Sequence, residues 1–253
     1  MAALNPTKRD SAAAPLISLP ALWIAAVFVC SPARALDVSG YYKNLLSVTD
    51  ARQNYEKAGL TDQDALVDDY QRVRLKLNAG DGESLSATVH YEALTQWGDS
   101  VRVRRAEAAL GPSAPVWGDS LAPVSAPPRF LDLEKTFSRQ SNFEATHQID
   151  RLFVKLRRDD LDVIVGRQPV SWGTGLIWNP ADLFSGFSPT EVDRDEKTGV
   201  DVVRTTWHVT PNAALDTVYE PLDADGTGEA AWPDSSLMLR ASFPLGEYDL
   251  ACM

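Results

Sequence analysis

Between residues 72 and 79 the side chains alternate without a break. Arg72, Arg74, Lys76 and Asn78 fall on one side, and Val73, Leu75, Leu77 and Ala79 on the other. Successive side chains of a strand point to opposite faces, whereas a helix spreads both sets around its circumference. The run is therefore a strand with one apolar and one cationic face. Gly80-Asp81-Gly82 supplies a tight turn, because Gly tolerates positive φ. The return run alternates again, with Leu85, Ala87, Val89, Tyr91 and Ala93 opposite Ser86, Thr88, His90 and Glu92. Together the two runs make an antiparallel hairpin of about ten residues per arm.

The same period recurs down the chain. Leu152, Val154 and Leu156 alternate with Arg151, Lys155 and Arg157, Phe153 being the exception, and the return arm after Asp159-Asp160 carries Leu161, Val163 and Val165. Further pairs are expected at 200–208 with 213–220, and from Leu237 to Phe243 with a strand restarting at Tyr248; one more strand is expected at 39–48. The total is about nine strands. Short turns fall near 80–82, 159–160, 210–212 and 244–246, and long connections at 50–68, 95–145, 168–199 and 221–235. Pro112, Pro115, Pro123, Pro127 and Pro128 make 109–129 a loop, because Pro cannot donate to a ladder. Short turns at one end of the strands and long loops at the other are the layout of an outer-membrane β-barrel. Strands of about nine to eleven residues match the tilted span of a bilayer.

The polar faces carry Arg72, Arg74, Lys76, Arg151, Lys155, Arg157, Arg204 and Arg240. A Lys or Arg facing lipid at the bilayer midplane costs about 2–4 kcal/mol. These eight residues are therefore expected to form a basic wall facing a wet lumen, with Val73, Leu75, Leu77, Leu152, Val154 and Leu156 facing lipid. On this pattern Leu75→Arg should impair insertion if Leu75 lies near the midplane, and Arg74→Leu should be better tolerated. The fold class expected is all-β: an antiparallel transmembrane β-barrel, a meander of about nine strands that is incomplete. A soluble antiparallel sheet with one solvated face alternates identically. Features outside the strands favour the barrel.

One of those features is at the start of the chain. Lys8 and Arg9 precede a largely apolar stretch from Leu16 to Cys30, and Ala33-Arg34-Ala35 follows with small residues at the two positions a signal peptidase reads. Residues 1–35 are read as a signal peptide cleaved before Leu36, and residues 36–253 as the barrel. Residues 1–35 carry a net charge of +2, so the remaining 218 residues carry −13 of the whole chain's −11. That balance argues against a nucleic-acid partner, which selects a basic surface. One thiol, Cys252, remains, so an exported chain of this kind has no internal disulfide to hold it.

The stretch 165–204 is the most distinctive. It opens Val165-Gly166-Arg167-Gln168, passes through Trp172-Gly173-Thr174-Gly175 and Asn179-Pro180-Ala181-Asp182-Leu183-Phe184, and closes with Glu196-Lys197 and Gly199-Val200-Asp201. This succession of GRQ, WGTG, NPADLF and EK-GVD resembles a family of uncharacterised porin-like outer-membrane β-barrel proteins of Gram-negative bacteria. The resemblance is most specific over 160–205 and looser over the other strands. It implies a barrel in the outer membrane, acting as a channel or an assembly partner, and a barrel longer than this chain. The sequence is therefore expected to be an N-terminal fragment.

The connection 168–199 is too apolar to extend freely into water. It is expected to fold into the barrel mouth as a constriction, with Trp172, Trp178, Asp182, Glu191, Asp193, Asp195 and Glu196 as its functional residues. Acids set across from a basic wall create a transverse field that selects solutes by charge. The alternative places the aromatics in a loop core or an interface girdle and the acids on a solvated face. No enzyme activity, cofactor or metal is expected, because His90, His147 and His208 lack metal-ligand spacing and no nucleophile or phosphate-loop motif occurs. The leading function is a porin-like channel for small polar solutes or ions. A non-transporting outer-membrane scaffold is the alternative, and a periplasmic β-sandwich that binds carbohydrate on Trp172 and Trp178 is the third. The partners expected are outer-membrane lipid and lipopolysaccharide, the barrel-insertion machinery, and the solutes.

Overall fold

The computed structural model describes residues 35–51, 56, 59, 61–81, 83–109, 129–172, 196–222, 235–245 and 248–253. Of the signal peptide expected at 1–35, residues 1–34 lie outside the described residues, as do Trp178, Asp182, Glu191, Asp193 and Asp195. The strands are β1 (Ala35–Asp50), β2 (Ala65–Gly80), β3 (Leu85–Gly98), β4 (Glu134–Arg139), β5 (Phe143–Arg158), β6 (Leu161–Gln168), β7 (Val200–Thr210), β8 (Ala213–Glu220), β9 (Ser236–Leu245) and β10 (Tyr248–Cys252). Among the described residues one helix, α1 (Asp99–Ala109), follows β3. All strand pairings are antiparallel, in the order β1-β2-β3-β5-β6-β7-β8-β9-β10, with β4 also paired to β5.

The all-β class follows from the alternation, but two particulars differ from the sequence expectation. Among the described residues the sheet has ten strands rather than about nine; it is not closed, β1 and β10 each pairing there with a single neighbour. The connection 95–145 is not structureless. It holds α1 and β4, and β4 and β6 divide one edge of β5 between them, against residues 144–148 and 152–158. The simple meander is interrupted there.

Local chemistry explains the turns. Asp81 accepts hydrogen bonds from the amides of Glu83, Ser84 and Leu85 at 2.8–2.9 Å and from the Ser84 hydroxyl. These donors hold its carboxyl well below the usual carboxylate range, the Ser84 hydroxyl most of all. At 159–160 the turn is closed by Asp159 with φ of 51°, a conformation Asp reaches more readily than most residues. Helix α1 is capped from outside its own segment: Asp68 on β2 accepts from the Ser100 amide at 2.9 Å and from its hydroxyl at 2.5 Å. Val101 and Val103 are buried, Val103 beside Ala51 and Leu66.

The burial of the sheet is inverted relative to a water-soluble layer. On β2 the buried residues include Asp68, Arg72 and Arg74, while Val67, Val73 and Leu75 are exposed. The register carries this division across the sheet: Arg74 pairs with Tyr41 and Glu92, and Leu75 with Gly40 and Tyr91. Exposed apolar side chains continue on the same side through Val165, Val203, Trp207, Leu239 and Phe243. Arg74 is only 3% exposed, in a sheet with no second sheet against it among the described residues. The polar face is therefore the enclosed one.

Candidate functional site

The enclosed face is built from β2, β3 and β5. Their register shifts between His90 and Tyr91, where a bulge puts Asp150 beside Arg151 without a partner of its own on β3. A bulge carries two successive residues past one partner, so parity changes along the strand. Asp150 and Arg151 are both buried here. Below the bulge Arg151 pairs with His90 and Phe153 with Thr88, so Phe153 shares the enclosed side with Lys155 and Arg157.

Arg74 is the centre of the network. It donates from Nη1 to Glu92 Oε1 at 2.7 Å and from Nη2 to Asp150 Oδ2 at 2.6 Å, and Nη2 lies 3.0 Å from His90 Nδ1. Gln148 donates to the other Glu92 oxygen at 2.7 Å. Glu196, in the segment that leads into β7, reaches three cations: Lys76 Nζ at 2.5 Å, Arg74 Nη2 at 3.2 Å and Arg151 Nη2 at 3.4 Å. Arg151 also donates to the Lys197 carbonyl at 2.8 Å. Gly199 permits this approach, because a Cβ there would lie 2.2 Å from the Asp150 carbonyl oxygen.

The other expected wall residues are also paired. Asp162 takes Arg157 Nε at 2.7 Å and Lys155 Nζ at 3.2 Å. Asp216 takes Arg204 Nη2 at 3.1 Å and Arg240 Nη1 at 3.8 Å. Arg72 is buried in the same row of β2 as Arg74. The basic wall is thus a wall of ion pairs, in which Glu196 holds three cations, Asp150, Asp162 and Asp216 two each, and Glu92 one. Alternation could have revealed Glu92, Asp162 and Asp216, which share the period of the cations. It could not have revealed Asp150, because the bulge moves it across.

Trp172 is 7% exposed and clusters with Val170, Val200, Val202 and Val218. That is the loop-core placement, not a side chain standing in an opening. The two ends of the distinctive stretch also meet. Arg167 of GRQ donates from Nε and Nη2 to the two oxygens of Asp201 in GVD, at 2.8 and 2.9 Å. Its remaining donors satisfy the carbonyls of Ile149, at 3.1 Å, and Leu131. Arg167 is completely buried, filling the break in the sheet where β4 leaves off and β6 begins. The sequence reading gave neither residue this role.

Glu196 supplies a pH prediction. Burial opposes its ionisation, but the Lys76 hydrogen bond and the charges of Arg74, Lys76 and Arg151 outweigh it and hold the carboxyl below its ordinary 4.5. A value lower in the folded state means that the contact contributes fully above the ordinary range and is lost as pH falls through the folded value. The carboxyl 13C shift of Glu196 is expected to titrate with a midpoint below 4.5. A midpoint at or above that value would mean that the three cations do not hold it in solution.

Among the described residues, no group of three or more His, Cys, Asp or Glu side chains is arranged to hold a metal ion. Comparison with protein-family models, with curated proteins and with solved structures finds no match.

Proposed function

We propose that this chain forms part of the wall of an outer-membrane β-barrel and serves as a porin-like channel for small polar solutes or ions. The observation that carries this reading is the inverted sheet, with exposed Leu, Val and Trp on one face and buried Arg, Glu and Asp on the other. In water such an arrangement leaves a broad apolar surface uncovered, which soluble monomers avoid. In a bilayer the same surface is the lipid face, and the charged face lines the aqueous side. Trp97 and Phe143, with ring centroids 5.3 Å apart, lie near the long-loop end, and Trp207 lies near a short turn. Aromatics near both ends suit the two membrane interfaces. The segment bearing Glu196 reaches the cationic wall, which favours a constriction formed by the connection 168–199. An export signal at 1–35 and lipopolysaccharide contacts belong to the same proposal.

Membrane extracts and planar bilayers test it. The chain should resist urea extraction, show heat-modifiable gel mobility and conduct in steps. Converting Asp193, Asp195 and Glu196 to amides should shift the reversal potential toward anions, and deleting 176–190 should raise conductance. Extraction by urea would overturn the membrane reading. Stable insertion without conductance would favour a scaffold presenting loops to a partner, which the open sheet edges at β1 and β10 also suit.

A further inference from the structure

We propose that Arg74, Lys76 and Arg151 form a binding site for a solute carboxylate or phosphate, and that the Glu196 side chain is an exchangeable occupant of that site. The inference rests on the channel reading and adds the class of solute. Three cations from β2 and β5 converge on one carboxylate at 2.5–3.4 Å. Convergent charged donors of this kind recognise carboxylate and phosphate oxygens alike.

The carboxylates around Arg74 are not equivalent. Glu92 and Asp150 are 2% and 4% exposed and sit within strands, Glu92 in the β2–β3 ladder and Asp150 at the bulge of β5. Glu196 is 27% exposed and comes from a segment outside the strands. Lys76 is 26% exposed, so the site opens on its side. Glu92 and Asp150 together offset the charges of Arg74 and Arg151, and Glu196 supplies the negative charge that offsets Lys76. A small anion entering from the Lys76 side finds the donors already aimed. It gains their charge-assisted hydrogen bonds as Glu196 gives up its own.

Titration calorimetry of the purified full chain in detergent tests this with succinate and inorganic phosphate as separate probes. Glu196→Gln removes the competing charge and should tighten binding about tenfold or more, since each tenfold is a modest difference in free energy. Adding Lys76→Met to that variant should remove the gain. A gain for succinate alone makes the site a carboxylate site, and for phosphate alone a phosphate site. Unchanged or weaker binding of both probes by Glu196→Gln overturns the proposal. If Glu196→Gln fails to fold, Lys76→Met alone should weaken binding relative to the parent, and equal binding would be fatal. Calorimetry does not depend on conductance. A chain that binds without conducting loses the channel and keeps the site, and one that conducts while Glu196→Gln changes nothing loses the site and keeps the channel.

Discussion

Arg74→Leu is expected to destabilise the chain by about 3–5 kcal/mol, the cost of removing one member of a buried ion pair and leaving its partners charged. Glu92 Oε1 and Asp150 Oδ2 lie 2.7 and 2.6 Å from the guanidinium, and all three side chains are buried. Without Arg74 two carboxylates face each other in an enclosed site. The substitution should lower the urea midpoint of the detergent-solubilised chain followed by tryptophan fluorescence. Adding Glu92→Gln and Asp150→Asn should recover part of the loss, because the buried charges go with them. An unchanged midpoint would mean that the network contributes nothing to folding. Alternation alone expects Leu to be tolerated here, as a lumen-facing change. The ion pairs reverse that expectation.

Leu75→Arg carries the second large effect. Leu75 is 41% exposed, flanked across the sheet by Gly40 and Tyr91 on the apolar face. On a water-exposed sheet such a change stays within about 0.5 kcal/mol. In a bilayer it costs about 2–4 kcal/mol near the midplane, falling toward the interfaces. Folding into lipid vesicles, compared with the parent in a urea series, reads the difference. Insertion equal to the parent would remove this face from the membrane.

What the sequence made legible was whatever repeats with period two. The hairpin at 72–93 appears in the structure with the faces assigned from its alternation, because nothing interrupts the ladder between β2 and β3. Asp150 was hidden by a bulge, which shifts parity without leaving a composition signal. Helix α1 was hidden because its cap, Asp68, is 32 positions away, and a local window contains no such signal. Strand β4 (Glu134–Arg139) is short and largely exposed, and its partner is the upper part of β5. The approach of Glu196 to the cationic wall was anticipated from the apolar content of its connection. The clasp of Arg167 on Asp201 was not, since an Arg beside Gly166 reads as one more polar residue.

That clasp has a consequence for chain entropy. Arg167 and Asp201 are 34 positions apart, and their bidentate contact, with ladder pairing at Gln168 and Val200, fixes both ends of everything between. The cost of closing a loop rises only with the logarithm of its length, about 0.6 kcal/mol for each doubling. Once the ends are fastened independently, the span between them can lengthen, shorten or change composition at little expense to strand register. The sheet and the connection can then diverge at different rates, the strand register being kept while the sequence between its two fastened ends is rewritten.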